Sequence, residues 1–98
     1  MNKLLIKINN TDLASRTAAR KLRLQMLESL SPNSMVSLDL SSVESVSDSF
    51  ADELFGVLSA KLGLEEFFAR VSVVGAKESV SRAIAVNIRN RTRAPVAA

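Results

Sequence analysis

The stretch VSLDLSSVESVSDSFADELFGVL, residues 36–58, contains the change of hydrophobic pattern that decides the fold. Its first apolar residues alternate with polar ones, which predicts a strand over residues 35–40. After a serine-rich turn, apolar residues recur at helical spacing, and this predicts a helix from residue 48 or 49 to residue 62. A strand followed closely by an amphipathic helix is typical of α/β folds.

The sequence on either side predicts two more strands and two more helices. We expect strands over residues 3–8 and 71–74, and helices over residues 13–30 and 78–91. The segment 31–33 ends the first of these helices because its proline lacks an amide hydrogen. The expected order is β-α-β-α-β-α, an α/β fold with a small, mainly parallel sheet flanked by helices. The direction of the first strand stays open.

The length of 98 residues and the hydrophobic content of 47% fit one small domain. We predict that it covers residues 1–91 and that residues 92–98 form a flexible tail. Because a three-stranded sheet is narrow, the possibility that a second copy covers one edge as a homodimer stays open. The N-terminal apolar run Leu4-Leu5-Ile6 is too short for a signal peptide or a membrane span, so we expect a cytoplasmic protein without membrane contact.

The chain contains no histidine and no cysteine. This excludes a disulfide framework, the usual zinc sites, a thiol nucleophile and a Ser-His-Asp triad within the chain. The three glycines lack the spacing of a phosphate-binding loop. Asp39 lies inside an apolar strand, where we expect its carboxylate to bind amides of the next loop rather than a metal ion. We therefore predict no catalytic residue, no metal site and no cofactor, and a protein that is not an enzyme.

The net charge is +3, from 13 basic and 10 acidic side chains. The arginines of the first helix lie mostly off its apolar stripe, so we expect them to face solvent. We do not expect a nucleic-acid partner, because the charge is small and there is no Tyr or Trp to stack on bases. Two alternatives stay open: a structural subunit of a homo-oligomer, and a small basic nucleic-acid-binding accessory protein with the candidate residues Arg16, Arg20, Arg23, Arg89, Arg91 and Arg93.

Residues 36–58 also resemble a known family. The strand Leu38-Asp39-Leu40, the spaced Val43 and Val46, the Ser47-Asp48-Ser49 turn and the helix that opens after it are similar to the STAS domain of anti-sigma-factor antagonists. The segment SFADEL, residues 49–54, is closer to a STAS-like domain family of small bacterial proteins. The resemblance implies a regulatory protein-interaction module with no catalysis of its own.

The resemblance also implies a partner and a switch. The partner would be a histidine-kinase-like ATPase that acts as a serine kinase or anti-sigma factor and phosphorylates a serine before the second helix. Phosphate adds about −2 charge to a binding surface and repels acidic neighbours. An alignment without a gap puts Asp48 at the phosphorylated position, whereas one inserted residue puts Ser49 there. We favour Ser49 because this alignment keeps the residue types, although Phe50-Ala51 replaces the family's Ser-Gly.

The same turn has a plainer, purely local interpretation. Ser49 and Asp52 have the spacing of a helix capping box, so Ser49 is predicted as a cap, either alone or as a cap that is also phosphorylated. We predict that the partner contacts Asp48, Ser49, Phe50 and Asp52. Phe50 and Phe55 lie five residues apart and so on different faces of a regular helix. Phe50 is expected in the core, and Phe55 stays open between the core and an interface.

Overall fold

A computed structural model of the chain describes residues 2–30 and 34–93. The predicted helix stop at 31–33 and most of the predicted tail, 94–98, lie outside the described residues. The elements are β1 (Asn2–Lys7), β2 (Asp12–Leu13), α1 (Arg16–Ser29), β3 (Ser34–Asp39), β4 (Ser45–Val46), α2 (Asp48–Ala51), a π-helical segment (Asp52–Gly56), α3 (Val57–Leu62), α4 (Leu64–Arg70), β5 (Val71–Val74) and α5 (Glu78–Thr92). From α2 to α3 the chain forms one continuous helix over 48–62, called here the central helix.

The main sheet has the strand order β1-β3-β5, and both pairings are parallel. The direction of the first strand, which the sequence left open, is therefore parallel to its neighbour. The register aligns Leu5 with Ser37 and Ser37 with Ser72. The predicted α/β fold with a small parallel sheet flanked by helices is confirmed. The prediction missed α4 and the short parallel pair β2–β4.

The hydrophobic core lies between β3 and the helices. Val36 and Leu38 of β3 are fully buried, as are Met26 of α1 and Leu58 of α3. Both α1 and α5 contact the π-helical segment, so the central helix lies between them. Among the described residues, no helix is both long enough and apolar enough to cross a membrane.

The central helix widens by one residue in its second turn. The amide of Val57 donates to the carbonyl of Asp52, five residues earlier, which is the hydrogen bond of a π-helix. The extra residue changes which side chains share a face, so Phe50 and Phe55 are both buried, at 3% and 1% exposure. The question that the sequence left open for Phe55 is settled in favour of the core.

Gly56 allows α5 to approach the central helix closely. A β-carbon at position 56 would lie 2.7 Å from Cγ of Arg91 and 3.1 Å from the backbone oxygen of Asn87. Real β-carbons essentially never come as close as the first of these distances. The absence of a side chain at position 56 therefore lets Arg91 cross the π-helical segment.

Candidate functional site

Ser47 caps the N-terminus of the central helix. Its hydroxyl oxygen accepts a hydrogen bond from the amide of Phe50 at 3.0 Å, and the hydroxyl donates to the carbonyl of Ala14 at 3.0 Å. The amide of Ser47 also donates to the carbonyl of Leu13 at 2.8 Å. The predicted capping box of Ser49 is therefore wrong. Contacts with residues more than thirty positions away hold Ser47 in the extended cap conformation, and no local pattern reveals them.

The four predicted partner contacts divide into two groups. Asp48 and Ser49 are exposed in the first helical turn. Asp48 accepts a hydrogen bond from Nδ2 of Asn87 at 3.0 Å, whereas the Ser49 hydroxyl makes no hydrogen bond to any described residue. Phe50 is only 3% exposed and its ring fills the core, so it offers a partner almost no surface. Asp52 is half-buried and already bound by arginines.

Two carboxylates and three arginines form what we call the ion cluster: Arg16, Arg23, Asp52, Glu53 and Arg91. Arg91 binds Asp52 through two hydrogen bonds, of 2.7 and 3.0 Å. Arg16 bridges the two carboxylates, at 3.1 Å from Asp52 and 3.2 Å from Glu53. Arg23 binds Glu53 at 2.9 Å. The ion cluster thus ties α1 and α5 to the π-helical segment.

The arginines keep both carboxylates of the ion cluster ionised. Hydrogen bonds from Arg91 and then Arg16 lower the pKa of Asp52 below its ordinary value of 3.8. Burial acts to raise the pKa of Glu53, but hydrogen bonds from Arg23 and Arg16 outweigh it and lower the pKa below 4.5. Neither group holds a proton at neutral pH that it could donate as a general acid.

The prediction that the arginines of the first helix face solvent holds for Arg16 and Arg20, which are exposed, and is wrong for Arg23. Arg23 is only 7% exposed and lies on the buried face of α1. Three of the six arginines proposed for a nucleic-acid surface are bound in the cluster. The arginines of that alternative that lie outside the cluster are Arg20, Arg89 and Arg93.

Asp39 has the structural role that we predicted for it. The amide of Ser41, in the loop after β3, donates to its carboxylate at 2.9 Å. Hydrogen bonds from the side chain and then the backbone of Ser41 lower the pKa of Asp39 below its ordinary value of 3.8. Over the described residues there is also no group of three or more acidic side chains arranged to hold a metal ion.

The chain was compared with known families. Residues 18–81 match a family described as a STAS-like domain of unknown function. The chain belongs to this STAS-like family. No curated protein and no solved structure matches the chain. The matched part of the STAS-like domain contains β3, the central helix and β5, but it leaves out Arg16 and Arg91 of the ion cluster.

The two serines of the STAS-like turn are expected to respond differently to mutation. Ser47→Ala removes a helix cap and should lower the free energy of unfolding by about 1 kcal/mol. Ser49→Ala removes an exposed hydroxyl that no described residue binds, and it should change the free energy of unfolding by less than about 0.5 kcal/mol. Urea unfolding followed by far-UV circular dichroism measures both. Equal losses for the two variants would contradict the assignment of Ser47 as the cap.

Proposed function

We propose that this STAS-like domain is a non-enzymatic regulatory module of the bacterial cytoplasm that docks on a histidine-kinase-like ATPase. The partner acts as a serine kinase or anti-sigma factor, and Ser49 is the residue that it phosphorylates. The supporting observation is the difference between the hydroxyl groups of Ser47 and Ser49. The hydroxyl of Ser47 both donates and accepts a hydrogen bond. The hydroxyl of Ser49 is exposed, so a kinase could reach it.

The turn around Ser49 is held in place before any partner arrives. Ser47 bonds to Leu13 and Ala14, and Asp48 bonds to Asn87 of α5. The neighbouring pair β2–β4 fixes the chain that leads into the turn. A surface that is already ordered loses little conformational entropy on binding, which favours its use as a docking site.

The charges around Ser49 support a switch by repulsion. The negative charges of Asp52 and Glu53, one turn further along the helix, are already matched by arginines of the ion cluster. Phosphate on Ser49 would add about −2 charge beside the exposed Asp48. The docking surface would then change from nearly balanced to strongly acidic, and a partner with acidic groups at the contact would be released.

Phosphate mapping by mass spectrometry on protein purified from its native cells tests the modification. We expect phosphate on Ser49 and none in the Ser49→Ala variant. Ser79 is the matched control, because it is also an exposed serine in the first turn of a long helix. Phosphate on neither serine in cells that express the cognate kinase, or on Ser79 alone, would refute the proposed switch.

Affinity capture with immobilised variants tests the docking surface. The unmodified chain and Ser79→Glu should retain an ATP-binding kinase, identified by its peptides and by labelling with an ATP analogue. Ser49→Glu should reduce its recovery at least tenfold, because a negative charge is fixed at the docking surface. Equal recovery with both glutamate variants would contradict docking at Ser49.

A further inference from the structure

An apolar groove runs between α4 and α5 beside β5, with a volume of about 630 Å³. Its deepest residues belong to the core: Phe55 of the π-helical segment is 1% exposed, and Ile84 and Ile88 of α5 are each 7% exposed. The groove therefore reaches the hydrophobic core from outside, at the edge strand of the main sheet.

The rim of the groove carries two of the exposed large apolar side chains of the described residues. Phe68 is 64% exposed and Leu64 is 43% exposed. The ring of Phe68 packs edge-on against Phe67, with 5.3 Å between the ring centres. The buried Phe67 therefore holds the Phe68 ring in its exposed position. Exposed apolar side chains beside an apolar groove are typical of a binding site, whereas scattered ones are ordinary surface.

Among the described residues, Arg89 is the only charged one that lines the groove. Two other arginines of α5 have carboxylate partners: Arg82 binds Glu78 and Arg91 binds Asp52. Within residues 2–30 and 34–93, the Arg89 guanidinium makes no hydrogen bond or ion pair. An unpaired cation beside apolar surface complements a molecule with an apolar body and an anionic end.

The size of the groove selects a small molecule over a second protein. Its volume of about 630 Å³ lies within the roughly 300–1,000 Å³ that is typical of small-molecule sites. A stable protein–protein interface buries roughly 800 Å² on each partner, and the lining of the groove offers far less surface than that.

We propose that the groove binds a medium- or long-chain carboxylate. The hydrocarbon chain lies over Phe55, Ile84 and Ile88, and the carboxylate contacts the Arg89 guanidinium. The apolar contacts supply most of the affinity, since each buried methylene strengthens binding about fourfold. The charged contact selects the anionic head group and is weakened by salt. This site shares no residue with the turn around Ser49, so it stands independently of the proposed docking surface.

Titration calorimetry with decanoate, below its micelle-forming concentration, tests the class of ligand. Decanol and decyltrimethylammonium carry the same chain with a neutral or a positive head group, and both should bind about fivefold more weakly or worse. Octanoate should bind about sixteenfold more weakly than decanoate, because it lacks two methylenes. No saturable binding of decanoate, or equal affinity for the three head groups, would overturn the proposal.

Two substitutions locate the site. Ala85 is exposed and lines the groove, so Ala85→Phe should fill it and abolish binding. The matched control is Val86→Phe, on the next residue of α5 and outside the lining. Arg89→Gln, on the surface, should weaken decanoate binding about fivefold and leave the affinity for decanol unchanged. This variant keeps the test valid if Ala85→Phe fails to fold.

Three further outcomes would overturn the carboxylate site. The first is unchanged binding of decanoate in folded Ala85→Phe. The second is unchanged binding in Arg89→Gln. The third is that the chain associates with itself, and that this association is lost in Ala85→Phe but kept in Val86→Phe. Such a result would mean that a second copy of the chain occupies the groove. Sedimentation at several protein concentrations distinguishes this last outcome.

Discussion

Glu53→Ala is expected to lower the free energy of unfolding by about 3 kcal/mol. The Arg23 side chain is only 9% exposed, and its Nη2 binds Glu53 at 2.9 Å. Its buried Nε has no hydrogen-bond partner within residues 2–30 and 34–93, so Glu53 supplies the main compensation for burying this charge. Without Glu53, a guanidinium would stay buried with no counter-ion, which is among the costliest defects in a folded protein. Urea unfolding by far-UV circular dichroism measures the loss.

The control for Glu53→Ala is an ion pair in solvent. Glu78 and Arg82 form a pair on α5 whose side chains are 86% and 70% exposed. Glu78→Ala should therefore cost less than about 0.5 kcal/mol. The double variant Arg23→Met with Glu53→Leu should recover most of the loss, because no charge is left buried. Equal effects of Glu53→Ala and Glu78→Ala would contradict a buried ion cluster.

The pH dependence of the Glu53→Ala loss follows from the direction of its pKa shift. The pKa of Glu53 in the fold is lowered from 4.5, because hydrogen bonds from Arg23 and Arg16 outweigh the opposing effect of burial. The unfolded chain therefore binds this proton more tightly than the folded chain does. The contribution of Glu53 is complete above about pH 4.5 and is lost as the pH falls through the lowered pKa. The difference between the two proteins should shrink accordingly in acid.

The ion cluster could not be predicted from the sequence, because its partners are far apart in the chain. Arg16 and Asp52 are 36 residues apart, and Asp52 and Arg91 are 39 apart. Arg23 shares the buried face of α1 with Ala19 and Met26 at helical spacing, but a charged residue is ordinarily expected in solvent. Only the approach of the central helix turns that position into core. The cap at Ser47 was missed for the same reason, since distant carbonyls hold it.

The strands and long helices could be predicted because their signals are local. The β-branched run of β5 and the apolar spacing of α5 each identify their element without knowledge of neighbours. Helix α4 also had a local signal that was overlooked. Its first turn contains Glu65 and Glu66 and its last contains Arg70, the charge order that the helix dipole favours.

Phe55→Ala is expected to lower the free energy of unfolding by about 3 to 5 kcal/mol. Phe55 is the largest of the side chains that are almost completely buried, at 1% exposure, and its removal leaves a cavity at the base of the groove. Phe68→Ala is the matched control, because that ring is 64% exposed and its loss should cost less than about 1 kcal/mol. Urea unfolding of both variants measures the difference.

This comparison tests the π-helical segment as well as the core. In a regular α-helix, the step of five positions from Phe50 to Phe55 corresponds to about 1.4 turns, so the two rings would point in different directions. The hydrogen bond from Val57 to Asp52 inserts the extra residue that turns Phe55 inward. Similar small losses for Phe55→Ala and Phe68→Ala would contradict the inward position of Phe55. A large loss confined to Phe55 places that ring in the core, which is the position that the widened turn gives it.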